Sequence, residues 1–259
     1  MLTDAGDADV VAVIPARFGS TRLGGKPLAD IGGVPMVVRV WRNARRARLL
    51  NRVIVATDDP RILEAVRVAG GEAMMTSPAH PSGTDRVAEV AALVAAPIYL
   101  NVQGDLPFIE PADLDSLARA MSADPGLEMA TLATPISNES QWRDPNAVKV
   151  VCDSRGRALY FSRSPIPFAR DGGLPKTALR HIGVYAYRRD FLFRFATLEP
   201  SPLEQVEKLE QLRALENGWR IGVIPTAVPS LEVDCEVDLA RARELAAQND
   251  PSGEQSGSE

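Results

Sequence analysis

The chain has 259 residues, enough for one large α/β domain or two modest ones, and its 45% hydrophobic and 24% charged content is that of a globular protein. Acidic residues (34) outnumber lysine and arginine (29), and the net charge of −5 argues against a dedicated nucleic-acid binder. It does not exclude a small anion met by a local cluster of cations. Cys152 and Cys235 have neither the number nor the spacing of a disulfide framework or a metal knuckle, so two ordinary thiols in a reducing compartment are expected. No apolar run is long enough to span a bilayer, and residues 1–9 lack the basic and apolar regions of a signal peptide. A cytoplasmic protein with a flexible N-terminus, no membrane partner and no nucleic-acid partner is expected.

Residues 10–16 (VVAVIPA) form a β-branched, near-continuous apolar run, the pattern of a strand buried on both faces. A Gly-rich loop follows, and residues 35–50 then place Val37, Val38, Trp41 and Ala44 at helical spacing. The arginines of that segment (39, 42, 45, 46 and 48) read as a solvated helix face with cations toward its C-terminal end. A strand is predicted over 52–57, then a helix opened by Asp58-Asp59-Pro60, running to Ala69 and stopped by Gly70-Gly71. A strand over 72–76, a helix over 84–94 and a strand over 98–102 follow, the last breaking at Gln103-Gly104-Asp105. This alternation implies right-handed β-α-β units and a mostly parallel sheet. Ligands of such sheets bind outside the carboxyl ends of the strands, so chemistry is sought in the loops after Ala16, Thr57 and Val102.

From Met129 the pattern changes to strands over 129–136, 148–152 and 182–187 with few helices, and a Pro- and Gly-rich stretch over 164–175 lies between them. This predicts a smaller antiparallel or mixed lobe packed on the core. A helix over 203–217, a strand over 221–228 and a helix over 237–247 close the fold, and residues 248–259 read as a disordered tail. No internal repeat is present. The expected organisation is a single domain over 10–247, with a core over 10–128, a lobe over 129–190 and a return to the core over 191–247.

The first loop, RFGSTRLGGKPL, carries Arg17, Arg22 and Lys26 with no acid before Asp30. Its glycines let backbone amides approach phosphate oxygens, and its cations neutralise them. It is not a P-loop, because Pro27 follows Lys26, and it lacks G-x-G-x-x-G. Asp105, at the end of a buried strand, is a candidate Mg²⁺ ligand, and Asp234 in the late run LEVD is the expected second carboxylate. Asp238 is assigned to the final helix.

The runs IPARFGSTRLGGKPL, ATDD, HPSGTDR, NVQGD, NAVKVV, LYFSRSPIP, RHIGVYAYRR and PSPLEQVEKLEQLR, with the VD at Asp234, follow one another from about Val10 to about Ala247. In this order they resemble the 3-deoxy-manno-octulosonate (Kdo) cytidylyltransferases. The opening loop alone resembles sugar nucleotidyltransferases in general; the later runs narrow the likeness to the Kdo branch. The resemblance implies a nucleotide-diphospho-sugar transferase-like α/β fold and a homodimer, with the 129–190 lobe helping to cover the sugar and to form the dimer contact. It further implies Mg²⁺-dependent transfer of CMP from CTP to Kdo for lipopolysaccharide synthesis.

By the same resemblance, Ala16, Arg17, Ser20, Thr21, Arg22 and Lys26 hold the nucleotide together with Ser82, Gly83 and Arg86. Arg22, Lys26 and Asp105 serve catalysis, and Asp105 and Asp234 bind the metal. Arg86, Gln103, Arg163, His181, Tyr185, Glu210 and Gln211 meet the sugar. Taken alone, His181 reads as a hydrogen-bonded strand-end residue, while Tyr185 could be a core residue, Glu210 and Gln211 solvated helix positions, and His80 a loop residue or a lid contact. Three departures from the family pattern stand out: Gly24 replaces a proline, Leu106 an acid, and Cys235-Glu236 a Thr-Pro pair. Alternative readings are the same reaction on 8-amino-8-deoxy-Kdo or a nonulosonate, and a non-catalytic nucleotide-binding protein on the same fold.

Overall fold

The computed structural model describes residues 9–19, 23–228 and 230–249. In chain order the elements begin with β1 (Val10–Ala16), a 3₁₀ turn (Lys26–Leu28), the small hairpin β2 (Asp30–Ile31) and β3 (Val34–Pro35), and α1 (Met36–Ala44). β4 (Arg52–Thr57), α2 (Pro60–Val68), β5 (Glu72–Met75), α3 (Gly83–Leu93), β6 (Ile98–Asn101) and α4 (Pro111–Ala123) continue the alternation. Then come β7 (Met129–Pro135), α5 (Glu139–Arg143), β8 (Lys149–Cys152), β9 (Ala158–Ser162), β10 (Leu179–Arg188) and α6 (Arg189–Ala196). The chain closes with α7 (Pro202–Glu207), α8 (Leu212–Glu216), β11 (Ile221–Pro225) and α9 (Glu236–Asn249). No helix among the described residues is long and apolar enough to cross a membrane.

The central sheet has the order β11-β7-β10-β6-β1-β4-β5. β1 pairs in parallel with β4 and β6, β4 with β5, and β7 with β11; β10 runs antiparallel between β6 and β7. Six of these seven strands therefore point the same way, which is the mostly parallel α/β core expected. Alternate residues of β1 enter different layers: Val10, Ala12 and Ile14 pack with Val37, Val38 and Trp41 of α1 and Leu114 and Leu117 of α4, while Val11 and Val13 meet Val87 and Val90 of α3. The strands after Met129 do not form a separate sheet. β7 and β10 join the core sheet, and the β8–β9 hairpin hangs from the start of β10.

The reversed strand matters most for function. Tyr185 of β10 pairs with Asn101, the last residue of β6, so everything before it in β10 extends past the carboxyl end of β6. Arg180, His181 and Gly183 are thereby delivered to the same rim as the ends of β1 and β6. A bulge between Ile182 and Tyr185 is clamped by the Thr131 hydroxyl, which lies 2.8 Å from the Val184 carbonyl and 3.2 Å from that of Ile182.

Two sequence expectations about helices are corrected. The helix expected over 35–50 stops at Ala44, because Arg46 and Ala47 donate back three residues in tight closing turns and the Leu49 amide is taken by Asp115 of α4 at 2.8 Å. The helix expected over 203–217 is two short ones, broken at Lys208 in a left-handed conformation (φ 56°). Arg163 explains the break: its guanidinium bonds the carbonyls of Glu207 (2.7 Å) and Lys208 (3.4 Å), which a continuing helix would have offered to amides 211 and 212. α4, α5, α6, β9 and the β2–β3 hairpin were not anticipated. The strand expected over 221–228 ends at Pro225, and the last helix runs two residues past its expected end, to Asn249. The flexibility expected of residues 1–8 and 250–259 lies outside the described residues.

Candidate active site

Pro15, at the end of β1, is the pivot of the site. A Cβ on Gly104 would sit 3.0 Å from the Pro15 carbonyl oxygen, and one on Gly83 would sit 3.1 Å from the Pro15 ring. Glycine at these two places lets the Gln103-Gly104-Asp105 turn and the N-terminus of α3 close on β1. α3 starts with a capping box: Ser82 Oγ accepts from the Asp85 amide at 3.3 Å, and Asp85 accepts from the Ser82 amide at 3.1 Å. The first turn of α3 thus lies at the rim, with Ser82 and Gly83 in its wall, and the positive end of the helix dipole favours an anion there.

Asp234 reaches the same point from far along the chain. Val233 is fully buried with Leu23, Ile31, Met36 and Leu239, and its amide donates to the Asp105 carbonyl at 2.9 Å. That bond seats the 231–234 segment on the QGD turn. Asp238 then accepts from the amides of Asp234 and Cys235, both at 3.0 Å, and from the Cys235 thiol at 3.1 Å. The cysteine that replaces a threonine is therefore held in place by the first turn of α9. Leu106, the other departure near Asp105, is buried beside Ile109 and Leu114 and packs as core. Among the described residues, nothing lies within 4 Å of a Cβ placed on Gly24.

Lys26 Nζ lies between the two carboxylates, 2.7 Å from Asp105 and 2.9 Å from Asp234. Burial opposes its charge, but the two acids outweigh that effect and hold its pKa above the ordinary value. Burial raises the pKa of Asp105, partly offset by Lys26 and reinforced by the charge of Asp234. A third acid, Glu232, completes the group: ligand oxygens of Asp105, Glu232 and Asp234 all lie within 4.8 Å of one another. Crowding by protein around an otherwise open carboxyl, together with the charges of Asp105 and Asp234, pushes Glu232 up to about 7. This all-oxygen donor set suits a hard divalent cation. The sequence reading passed over Glu232; its signal was its place two residues before Asp234 in an extended segment, where both side chains share a face.

Two cavities meet at this cluster. The smaller, about 280 Å³, is walled by Ala16, Arg17 and Lys26 on the loop side and by His80, Ser82, Gly83 and Arg86 on the α3 side. The larger, about 1060 Å³, is walled by Arg163, Arg180, His181, Tyr185, Glu210, Gln211 and Glu232, among others. Ser82, Gly83, Gln103, Asp105 and Asp234 line both. Ser20, Thr21 and Arg22 lie outside the described residues.

Most of the expected site residues are thus gathered at one rim, although several are already held by the protein. Arg86 is almost fully buried and bonds Thr76 and Asp58 (3.0 Å), tying the ends of β4 and β5 to α3. His80 pairs with Glu89 of α3. Gln103 donates to Asn101 at 3.2 Å. Glu210 accepts from the Thr84 hydroxyl at 2.5 Å, and burial raises its pKa. Gln211 is 3% exposed and its side-chain nitrogen has no hydrogen-bond partner among the described residues, so neither Glu210 nor Gln211 is a solvated helix position. Leu209 and Leu212, which flank them, pack into the core.

Tyr185 belongs both to the core, stacked on Tyr187 with centroids 5.9 Å apart, and to the wall of the larger cavity. His181 Nε2 lies 2.9 Å from the Thr131 hydroxyl, whose single proton is directed to the Val184 carbonyl. Nε2 is therefore the donor, and Nδ1 is left as an acceptor. Burial, and then the charge of Arg180, lower its pKa to about 3. Because this value lies below the ordinary 6.5, the stability contributed by neutral His181 is complete above pH 6.5 and is lost as pH falls toward 3. Acidification from pH 7 to pH 5 is expected to cost on the order of 2 kcal/mol through this residue. In urea unfolding at both pH values, His181→Gln should lose that much less than the parent protein; equal losses would contradict the assignment.

A cation-bearing loop faces an acidic cluster across the carboxyl rim of a parallel sheet, an arrangement suited to nucleotidyl transfer. A sequence model of the cytidylyltransferase family matches residues 11–221 and supplies the class. A 3-deoxy-manno-octulosonate cytidylyltransferase of Geobacter sulfurreducens is 51% identical over 248 residues, 91% of this chain and 98% of its own. That of Syntrophotalea carbinolica is 50% identical over 240 residues, 90% and 96%. The chain belongs to the 3-deoxy-manno-octulosonate cytidylyltransferase family. A solved structure of CMP:2-keto-3-deoxy-manno-octonic acid synthetase complexed with CTP superposes with a TM-score of 0.89 at 46% identity, covering 93% of this chain and 100% of that one. A cytidylyltransferase of Leptospira borgpetersenii, at 17% identity and a TM-score of 0.60, shares the fold alone.

Proposed function

We propose that the protein transfers CMP from CTP to Kdo, forming CMP-Kdo and releasing pyrophosphate. The observation that carries this reading is the shared wall: two substrate-sized cavities meet along Ser82, Gly83, Gln103, Asp105 and Asp234. The bond from the sugar's anomeric oxygen to the α-phosphorus forms at this wall as the bond between the α-phosphorus and the bridging oxygen to the β-phosphate breaks; pyrophosphate departs with that oxygen, and the hydroxyl's proton passes to solvent. No protein nucleophile is needed; the residues position the two substrates and balance their charge.

In this reading Arg17, Lys26 and the first turn of α3 receive the triphosphate, and Ser20, Thr21 and Arg22 are assigned to it by the family resemblance of their sequence. Arg86 shapes the floor between them. The acceptor Nδ1 of His181, the Tyr185 hydroxyl, Glu210 and the unpartnered amide of Gln211 offer the sugar hydroxyls complementary donors and acceptors. Asp105 and Asp234, with Glu232 beside them, would hold Mg²⁺, which supplies positive charge for the α-phosphate and favours the ionised sugar hydroxyl. The same reading places the reaction in the cytoplasm, its product in lipopolysaccharide synthesis, and the enzyme in a homodimer. The strong exposure of Phe168 (85%) and Leu159 (62%) on the 129–190 lobe supports that last element.

Pyrophosphate release should be measured with each of the four nucleoside triphosphates against Kdo, its 8-amino analogue and a sialic acid. CTP with Kdo is expected to react fastest. Faster turnover of another sugar would reassign the acceptor, and inertness of every pair would leave a nucleotide-binding protein without this activity.

A further inference from the structure

The cations of the larger cavity differ in what already holds them. Arg163 spends its guanidinium on the main-chain carbonyls of Glu207, Pro145 and Lys208. Arg213 is bonded twice to Glu204, at 2.8 and 2.6 Å, and once to the Leu198 carbonyl at 3.1 Å. Lys208 lies on the exposed outer margin. Arg180 is half-buried in the same wall, and its guanidinium hydrogen-bonds to no described residue.

Its position is equally specific. Arg180 sits on the part of β10 that overhangs β6, opposite Thr134 of β7 and Lys149 of β8 and next to His181. Its charge is felt by Glu232 and so reaches the acidic cluster at the junction of the two cavities. A 2-keto sugar acid carries its carboxylate on the anomeric carbon itself, the same carbon whose hydroxyl attacks phosphorus. Placing that hydroxyl at Asp105 and Asp234 therefore brings the carboxylate among three acidic side chains. A neighbouring cation with an unused planar fork is the group such an anion requires.

Resting on the reading of Kdo as acceptor, we propose that Arg180 receives the substrate carboxylate and is a specificity-determining residue, selecting a 2-keto sugar acid over sugars that lack the charge. Neither Arg163 nor Arg213 can take this part without giving up hydrogen bonds that hold the α7–α8 break in place.

The test compares Kdo with its C1 amide, which keeps the shape and removes the charge, each as substrate and as competitor at saturating CTP and Mg²⁺. The parent enzyme is expected to favour the acid by about 10- to 100-fold, the range of a charge-assisted pair. In Arg180→Met the preference should shrink to within about threefold while the KM for CTP stays within about twofold, since a lost ion pair moves only the charged substrate. Arg180→Lys should restore part of the preference. The proposal is overturned if Arg180→Met discriminates acid from amide as the parent does, if the parent does not discriminate, or if both KM values rise together with discrimination unchanged. A parent enzyme inert toward CTP and Kdo would instead overturn the activity on which the proposal rests, so the two failures are distinguishable.

Discussion

Replacing Asp105 by asparagine is expected to lower pyrophosphate release from CTP and Kdo by about a thousandfold or more, the scale of losing metal-assisted charge stabilisation. The substitution is nearly isosteric, so it removes a charge without changing the packing. The features that seat this turn, the Val233 amide on the Asp105 carbonyl and the close approach of Gly104 to Pro15, use the main chain and survive it. Lys26 keeps Asp234 as a partner. Thermal unfolding should therefore be nearly unchanged while turnover collapses. Near-normal turnover in the variant would remove Asp105 from the chemistry.

The second large effect is expected for Lys26→Met. Lys26 is the cation that stands between Asp105 and Asp234, with its side chain only 13% exposed. Without it, the three acids of the cluster repel one another, and a partly buried pair has lost its cation at a cost on the order of 1–3 kcal/mol after solvent screening. The variant should melt at a lower temperature than the parent protein in chelator and regain more stability than the parent on addition of Mg²⁺, because the ion then supplies the missing charge. Turnover should fall by about a hundredfold or more, since Lys26 also faces the triphosphate cavity. Equal response of parent and variant to Mg²⁺ would show that the acidic cluster does not hold the ion.

Much of the site is legible in the chain because its parts are local. The apolar run before Arg17, the cations of the loop and the break at Gln103-Gly104-Asp105 each sit within one strand-loop unit, and the rule that ligands gather at the carboxyl ends of parallel strands places them together. Asp234 could be nominated from the VD that follows an apolar stretch, but nothing local indicates that a buried Val233 docks it on the QGD turn. Glu232 carried a local signal in sharing a face with Asp234, but its approach to Asp105 depends on a segment that folds across the sheet from more than a hundred residues away.

The α7–α8 region shows the limit most clearly. Leu209 and Leu212 have helical spacing, and a single helix over 203–217 is what local periodicity supports. The break at Lys208 comes from Arg163, about 45 residues earlier, which takes the carbonyls the helix would have used. Only that break turns Glu210 and Gln211 from helix-surface positions into cavity wall.

The parallel core, the basic loop after β1, the carboxylate at Asp105 and, through the ordered motifs, the family are all legible in the chain, because each is written in contiguous residues whose periodicity or spacing carries the meaning. The tertiary structure alone decided that β10 runs backward between β6 and β7, carrying Arg180, His181 and Tyr185 to the rim. It also decided that Lys26 is held between two acids and that Arg163 and Arg86 are hydrogen-bonded while the Arg180 guanidinium bonds to no described residue. These depend on pairings between distant segments, and the free energy that selects such a pairing resides in the burial and hydrogen bonding of both partners together, not in either stretch of chain alone.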